Sequence, residues 1–141
     1  MGGRMWNTLI VDDDFVNRKL LTEVLKDFAE SVTASGGKEA IESYELSLKN
    51  GRPYDLILLD IAMPEVNGLE VLKYIRSNEA KMSVAPGRGV CIIMITAFRD
   101  PFAEAFGLGC DDYVLKPVMP DLLIQKIQQK IDRKIASGDN V

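Results

Sequence analysis

A chain of 141 residues with 47% hydrophobic and 27% charged residues is long enough for one domain with a real core, and short for two. Its formal net charge of -4 disfavours binding to the phosphate backbone of nucleic acids, and no apolar run is long enough to span a bilayer. The absence of histidine excludes a histidine-based triad, a histidine-ligated metal and autophosphorylation on histidine.

The two ends of the chain carry no core pattern. Residues 1–5 lack the apolar stretch of a secretory signal, so we interpret them as an N-terminal extension or a remnant of expression and expect the protein in the cytoplasm. Residues 136–141 are small and polar and are predicted to form a tail. One domain is therefore expected over 6–135. Within it, Cys91 and Cys110 have no metal or redox spacing and are predicted to be core thiols.

Short β-rich apolar runs alternate with stretches of helical period, which is typical of a parallel sheet with helices on both faces. In chain order, the five predicted strands are Thr8–Val11, Ser31–Ala34, Leu56–Asp60, Val90–Thr96 and Tyr113–Leu115. The third and fourth runs are nearly unbroken, as in strands that are buried on both faces, so we predict that they are central in the sheet.

Apolar residues at helical spacing occupy the intervals between these strands and are interpreted as core. They are Leu20, Leu21, Val24, Leu25 and Phe28; Ile41, Tyr44 and Leu48; Leu69, Leu72 and Ile75; and Ile124, Ile127, Ile131 and Ile135. Asp14 is suited to cap the first helix, and Asn67-Gly68 indicates a turn before the third. The fourth helix lies between a proline and a glycine and is expected to be short. A long loop is predicted over Asn78–Gly89.

Acidic, hydroxyl and amino side chains follow the predicted strands at the points where they end. They are Asp12 and Asp13 after the first strand, Asp60 at the third, Thr96 at the fourth and Lys116 after the fifth. Right-handed crossovers gather the carboxyl ends of parallel strands on one edge of the sheet, where ligands bind. Clustered carboxylates there repel one another unless a cation joins them, and few carboxylates with backbone oxygen and water suit Mg²⁺.

One carboxylate beside a metal, a lysine and a hydroxyl suits phosphoryl transfer, because the cations neutralise charge while the carboxylate attacks phosphorus. Asp60 is the best candidate nucleophile, since it ends a buried strand. It precedes Ile61-Ala62-Met63-Pro64, a loop whose proline fixes the backbone where a carbonyl can face the metal. Each residue alone has an ordinary explanation as a cap, a strand end or a surface lysine. Their coincidence at successive strand ends predicts a phosphoacceptor site.

Four motifs resemble the receiver domains of two-component response regulators, over a span from Leu9 to about Ile131. They are Leu9-Ile10-Val11-Asp12-Asp13-Asp14, Asp60-Ile61-Ala62-Met63-Pro64, Met94-Ile95-Thr96-Ala97 and Tyr113-Val114-Leu115-Lys116-Pro117. The resemblance implies a CheY-like, flavodoxin-like (βα)5 fold with a five-stranded parallel sheet of order 2-1-3-4-5. It also implies a phosphorelay signalling domain, not an enzyme that turns over an external substrate.

By this resemblance, Asp60 receives the phosphoryl group, Asp13 binds Mg²⁺ directly and Asp12 supports the ion through water. The carbonyl of Ala62 completes the protein ligands. Because the chain has no histidine, the implied donor is a partner, either a histidine kinase or a histidine phosphotransfer protein.

The resemblance further implies that Lys116 and Thr96 hold the phosphoryl oxygens and that the Lys116-Pro117 peptide is cis. Thr96 moves toward the phosphoryl group and Tyr113 swings inward, which remodels the face formed by the fourth helix, fifth strand and fifth helix. The implied output is a downstream protein target or a homodimer through that face. No direct contact with nucleic acid or membrane is expected.

Two alternatives stay open at this point. Asp12-Asp13-Asp14-Phe15-Val16 also fits the Asp-x-Asp-x-Val pattern of haloacid-dehalogenase-type phosphatases, with Asp12 as nucleophile. That interpretation leaves the Asp60 motif unused, and the Asp111-Asp112 pair precedes Lys116 where that family has its acidic pair after the lysine. The other alternative is a degenerate receiver that binds partners constitutively, although such domains usually lose an acidic, Thr or Lys position that this chain has.

Overall fold

All five predicted strands join one parallel sheet in the computed structural model, which describes residues 4–138. The strands are β1 Trp6–Val11, β2 Ala29–Ala34, β3 Leu56–Leu59, β4 Cys91–Thr96 and β5 Asp112–Leu115. The helices are α1 Phe15–Leu25, α2 Gly37–Lys49, α3 Gly68–Lys81, α4 Phe102–Gly107 and α5 Pro120–Gly138. The order β2-β1-β3-β4-β5 with parallel pairing throughout confirms the predicted doubly wound fold.

Strand boundaries differ from the prediction by one or two residues. β1 and β2 begin earlier because Trp6 pairs with Ala29, and the Trp6 ring stacks on Phe28 at a centroid distance of 5.7 Å. The predicted third and fourth strands are each one residue too long, at Asp60 and at Val90. Asp60 is thus the first residue of a loop, although its N–H still donates to a β1 carbonyl.

The core lies in two layers, one on each face of the sheet, because successive strand residues point to opposite faces. On one face, α2, α3 and α4 cover Leu9, Val11, Ile57, Leu59, Ile92 and Met94. On the other face, α1 and α5 cover Ile10, Leu56, Leu58, Ile93 and Ile95. The interior strands β3 and β4 are therefore buried on both sides, as the unbroken apolar runs predict.

The predicted apolar stripes of the helices are wrong at three positions. Leu20 and Ile135 are 51% and 53% exposed, and Phe28 lies beyond the end of α1. Leu123, which the prediction omitted, is buried in the core. Ile127 and Ile131 are buried in the same cluster and Ile124 packs against it, so three of the four predicted core positions of α5 are confirmed.

The predicted starts of α1 and α3 are confirmed by the hydrogen bonds that cap these helices. Asp14 caps α1, since its Oδ1 atom accepts from the N–H of Val16 at 2.9 Å. Asn67 caps α3 in a reciprocal pair with Glu70, so the predicted turn is a capping box. The short α4 and the cis Lys116-Pro117 peptide are also as predicted.

The loop predicted from Asn78 begins later, because α3 continues to Lys81. The prediction failed here because this stretch lacks the apolar period of a helix. Two of its polar residues are nevertheless paired inside the fold. The Asn78 amide donates to the hydroxyl of Tyr44, and buried Glu79 pairs with Arg76 at 2.8 Å. Tertiary contacts therefore extend the helix over residues that look like a loop.

The chain ends differ from the prediction, whereas the cysteines agree with it. α5 runs to Gly138, beyond the predicted domain boundary at 135, and Arg4 of the predicted extension pairs with Asp55 at 2.8 Å. Residues 1–3 of that extension and 139–141 of the predicted tail lie outside the described residues. Cys91 and Cys110 are free and buried, as predicted. Within residues 4–138, no helix is long and apolar enough to cross a membrane.

Candidate functional site

The carboxyl ends of four strands meet at one edge of the sheet because their registers are aligned. Val11 pairs with Leu59, Leu59 pairs with Met94, and two residues further on Thr96 pairs with Leu115. The residues at or just after these positions are therefore brought together. They include the predicted site residues Asp12, Asp13, Asp60, Thr96 and Lys116.

Three carboxylates form an acidic cluster at this edge. One oxygen from each of Asp12, Asp13 and Asp60 lies within 4.8 Å of the others. Asp12 and Asp60 are 1% and 4% exposed, whereas Asp13 is exposed. Buried like charges at this separation are costly, and a hard divalent cation with oxygen ligands would offset the repulsion. The cluster thus fits the predicted metal site in donor type and spacing.

Lys116 joins the two buried carboxylates. Its Nζ atom lies 2.9 Å from Oδ2 of Asp12 and 3.5 Å from Oδ2 of Asp60. Burial lowers the pKa of Lys116, but the hydrogen bond to Asp12 and the charge of Asp60 outweigh burial and raise this pKa overall. The ammonium group is therefore charged and bridges both side chains.

The pKa of Asp60 is perturbed, as expected for a buried carboxylate in such a cluster. Burial and the neighbouring charge of Asp12 raise the pKa of Asp60 to about 6, although Lys116 opposes the rise. Asp13 raises it further. Any cation bound by these carboxylates would lower this pKa, so proton release and metal binding at Asp60 are linked.

The raised pKa predicts that, in chelator, Asp60 makes the protein less stable as pH rises from about 4 to about 6. Folded Asp60 holds its proton more strongly than unfolded Asp60, so the free energy of unfolding falls across this window by on the order of 3 kcal/mol and is level above it. The measurement is urea unfolding of wild type and Asp60→Asn over this pH range. The stability of wild type relative to Asp60→Asn should fall as the pH rises. A rise in this relative stability would contradict the raised pKa of Asp60.

The predicted switch residues Thr96 and Tyr113 share one neighbour. Thr96 is fully buried at the end of β4, and its Oγ1 atom lies 3.4 Å from the N–H of Phe98. Tyr113 is 8% exposed, and its hydroxyl donates to the carbonyl of Phe98 at 2.5 Å. The Tyr113 ring also contacts Phe102, the first residue of α4. A single residue of the β4–α4 loop thus connects Thr96 with Tyr113.

Two contacts at the site were not predicted from the sequence. A side chain at Gly68, the first residue of α3, would overlap the carbonyl oxygen of Asp60. Arg18 of α1 donates from Nη1 to the carbonyl oxygen of Asp12 at 2.8 Å. The sequence signal for Gly68 was its place after Asn67, which indicates only a turn.

The predicted ligand Ala62 is exposed in the loop after Asp60.

This arrangement at the carboxyl edge of a doubly wound sheet defines a class of small α/β signalling domains, in which phosphorylation on aspartate is typical. The chain belongs to the response regulator receiver domain family, whose model matches residues 8–128. The family predicted from the four motifs is therefore confirmed, together with a role in two-component signalling.

Individual proteins agree with this assignment. The chain is 36% identical over 133 residues to hybrid signal transduction histidine kinase I of Dictyostelium discoideum, covering 90% of this chain and 7% of that protein. It is 35% identical over 129 residues to the DNA-binding response regulator MtrA of Mycolicibacterium smegmatis, covering 89% of this chain and 50% of that protein. The chain thus spans half or less of the length of these curated relatives.

Solved structures show the same fold. A CheY-like response regulator receiver domain protein from Methanospirillum hungatei superimposes with a TM-score of 0.78 at 27% identity, covering 96% of this chain and 100% of that one. The CheX-CheY-BeF3-Mg²⁺ complex from Borrelia burgdorferi gives a TM-score of 0.75 at 26% identity, covering 88% of this chain and 87% of that one.

Proposed function

We propose that this domain accepts a phosphoryl group on Asp60 from a partner phosphohistidine, with Mg²⁺, and thereby switches a protein-binding surface. The observation that carries the proposal is the unequal engagement of the two buried carboxylates. Both oxygens of Asp12 are bonded, one by the N–H of Asp14 and the other by Lys116, each at 2.9 Å. Asp60 lies farther from Lys116, at 3.5 Å. This difference favours Asp60 over Asp12 as nucleophile, and so the receiver over the phosphatase alternative.

The proposed chemistry is a single displacement at phosphorus. A carboxylate oxygen of Asp60 forms the new P–O bond while the P–N bond of phosphohistidine breaks, and the electron pair leaves on the imidazole nitrogen. Lys116 and Thr96 hold the phosphoryl oxygens as negative charge develops on them. Mg²⁺, when held by Asp13, Asp60 and the Ala62 carbonyl and supported through water by Asp12, would neutralise charge on the phosphoryl group. The solved CheY complex that contains BeF3 and Mg²⁺ supports this choice of metal.

The surface around the site favours a protein as donor. Five large apolar side chains on α1, just before α5 and in its first turn are 47% to 67% exposed: Phe15, Val16, Leu20, Met119 and Leu122. Between α1 and the loop after β5 lies a cavity of about 410 Å³ that reaches buried Ile95 and is bordered by Lys116. Exposed apolar patches of this kind mark contact surfaces for other proteins. A histidine kinase or histidine phosphotransfer protein that packs there would bring its phosphohistidine beside Asp60.

The output surface we propose is the face formed by α4, β5 and α5, which binds a downstream protein or a second copy of the chain. Phe102 and Phe106 of α4 are 54% and 39% exposed, and their rings are in contact. Because Phe102 also contacts Tyr113, movement of Tyr113 would change this apolar surface. The net charge of -4 supports an output without direct nucleic-acid contact. We also propose that the domain acts in the cytoplasm and does not turn over an external substrate.

The metal role is tested with Asp13→Ala, which we expect to lose Mg²⁺-dependent phosphorylation while remaining folded. Removing one clustered carboxylate relieves repulsion, so the thermal midpoint in chelator should rise above that of wild type. Labelling by acetyl phosphate, followed by intact mass with Mg²⁺ or chelator, measures the first effect, and thermal melting measures the second. Strong destabilisation of the variant in chelator would show that the cluster is structural.

The lifetime of the phosphorylated state is predicted to be long. Hydrolysis needs a water in line with phosphorus, and by the family resemblance this approach is flanked two positions after Asp60 and two after Thr96. These positions hold Ala62 and Phe98, and neither side chain orients a water by hydrogen bonding.

Decay of labelled protein after donor removal, followed by intact mass, measures this lifetime. Wild type, Ala62→Asn, Phe98→Glu and the double variant are compared, and the double variant should decay fastest, by roughly tenfold for about 1.4 kcal/mol of barrier. Equal decay in all four proteins would show that these positions do not set the lifetime.

A further inference from the structure

We propose that Arg18 is a positioning residue for the carboxylates of Asp12 and Asp13, which the proposed function uses to bind Mg²⁺. Arg18 lies in the first turn of α1, and its Nη1 atom donates to the Asp12 carbonyl oxygen at 2.8 Å. Its guanidinium carbon lies 5.7 Å from the centroid of the Phe15 ring. The inference rests on the proposed function, because it assigns Arg18 to the geometry of that metal site.

The contacted carbonyl belongs to the peptide unit that joins Asp12 to Asp13. Asp14 and Lys116 already fix the Asp12 side chain. The bond from Arg18 to the Asp12 carbonyl oxygen therefore adds a constraint on the backbone between Asp12 and Asp13. The Asp13 side chain is exposed, and its direction therefore depends on the orientation of this peptide unit. A fixed peptide plane keeps both carboxylates at a separation that one ion can bridge.

The charge of Arg18 has the opposite effect on a bound cation. A guanidinium near three carboxylates repels an incoming divalent ion, so a purely electrostatic role predicts that its removal tightens Mg²⁺ binding. A positioning role predicts weaker binding, because loss of a charged hydrogen-bond donor frees the peptide unit to rotate. The two roles thus predict changes of opposite sign in the same measurement.

The test compares Arg18→Met and Arg18→Lys with the control Lys19→Met in the full chain. Lys19 is the exposed neighbour of Arg18 on α1, so the control removes the same charge and keeps the bond to Asp12. The initial rate of labelling by acetyl phosphate is measured across a Mg²⁺ titration, and the thermal midpoint is measured in chelator. Arg18→Met should need about tenfold more Mg²⁺ for half-maximal rate, and Arg18→Lys should recover part of this loss. Lys19→Met should stay within about twofold of wild type.

Two results would overturn the proposal. In the first, Arg18→Met needs no more Mg²⁺ than Lys19→Met. In the second, Arg18→Met melts at a lower temperature in chelator but keeps the Mg²⁺ requirement of wild type, which indicates a structural role alone. Loss of Mg²⁺-dependent labelling in wild type and Lys19→Met as well would instead refute the proposed function, and the role of Arg18 with it.

Discussion

Asp60→Asn is expected to carry no phosphoryl group after incubation with acetyl phosphate and Mg²⁺, whereas wild type gains one per chain. The amide has nearly the shape of the carboxylate but cannot attack phosphorus, so the loss should be complete. Intact mass measures the label directly. The variant should remain folded at neutral pH, because the raised pKa of Asp60 means that its charged form is unfavourable in the metal-free protein.

Asp14→Asn is the matched control for this experiment. Asp14 is an acidic neighbour that caps α1 from outside the cluster, and asparagine is an equally good cap, so labelling should continue. Label that persists in Asp60→Asn and disappears only in Asp12→Asn would instead support a phosphatase-type nucleophile at Asp12.

Glu79→Ala is expected to lower the free energy of unfolding by about 3 kcal/mol. The Glu79 side chain is 10% exposed, pairs with Arg76 at 2.8 Å and accepts from the N–H of Val90 at 2.7 Å. Arg76 also pairs with Asp111, so the variant leaves a buried network with an unbalanced charge. The measurement is urea unfolding at neutral pH with the midpoint and slope compared with wild type.

Glu23→Ala is a control with the same residue type and pair spacing. Glu23 and Lys26 form an ion pair at 2.7 Å across three positions of the chain, but their side chains are 67% and 62% exposed. Its loss should leave the urea midpoint close to that of wild type, because water and salt screen exposed pairs. Similar costs in Glu79→Ala and Glu23→Ala would show that the buried network does not hold the loop after α3.

Sequence periodicity predicted the sheet well because its interior strands are apolar on both faces. Prediction failed where contacts between distant residues decide the structure. Residues 78–81 look like a loop, yet they are helical because Asn78 and Glu79 find partners inside the fold. Leu20 has the spacing of a core residue, but it is exposed beside the site on the surface we assign to a partner. Local pattern does not distinguish a core stripe from an apolar contact surface.

The candidate site was predictable to the extent that parallel strands align their ends. Asp60 and Lys116 were found because each follows a strand, and the register brings them within 3.5 Å. Gly68 and Arg18 were missed because they act on backbone carbonyls, at Asp60 and Asp12, which carry no signal in the sequence. Such contacts depend on how closely a helix start approaches a strand end.

The stack of Trp6 on Phe28 determines what intrinsic fluorescence can report. Trp6, the only tryptophan of the chain, begins β1, and the acidic cluster follows the other end of this six-residue strand, roughly 20 Å away. Emission from this indole should therefore respond to unfolding of the sheet and stay constant when Asp60 is phosphorylated. The protein thus carries a built-in optical probe of folding that is independent of its signalling state, so both forms can be compared without an added dye.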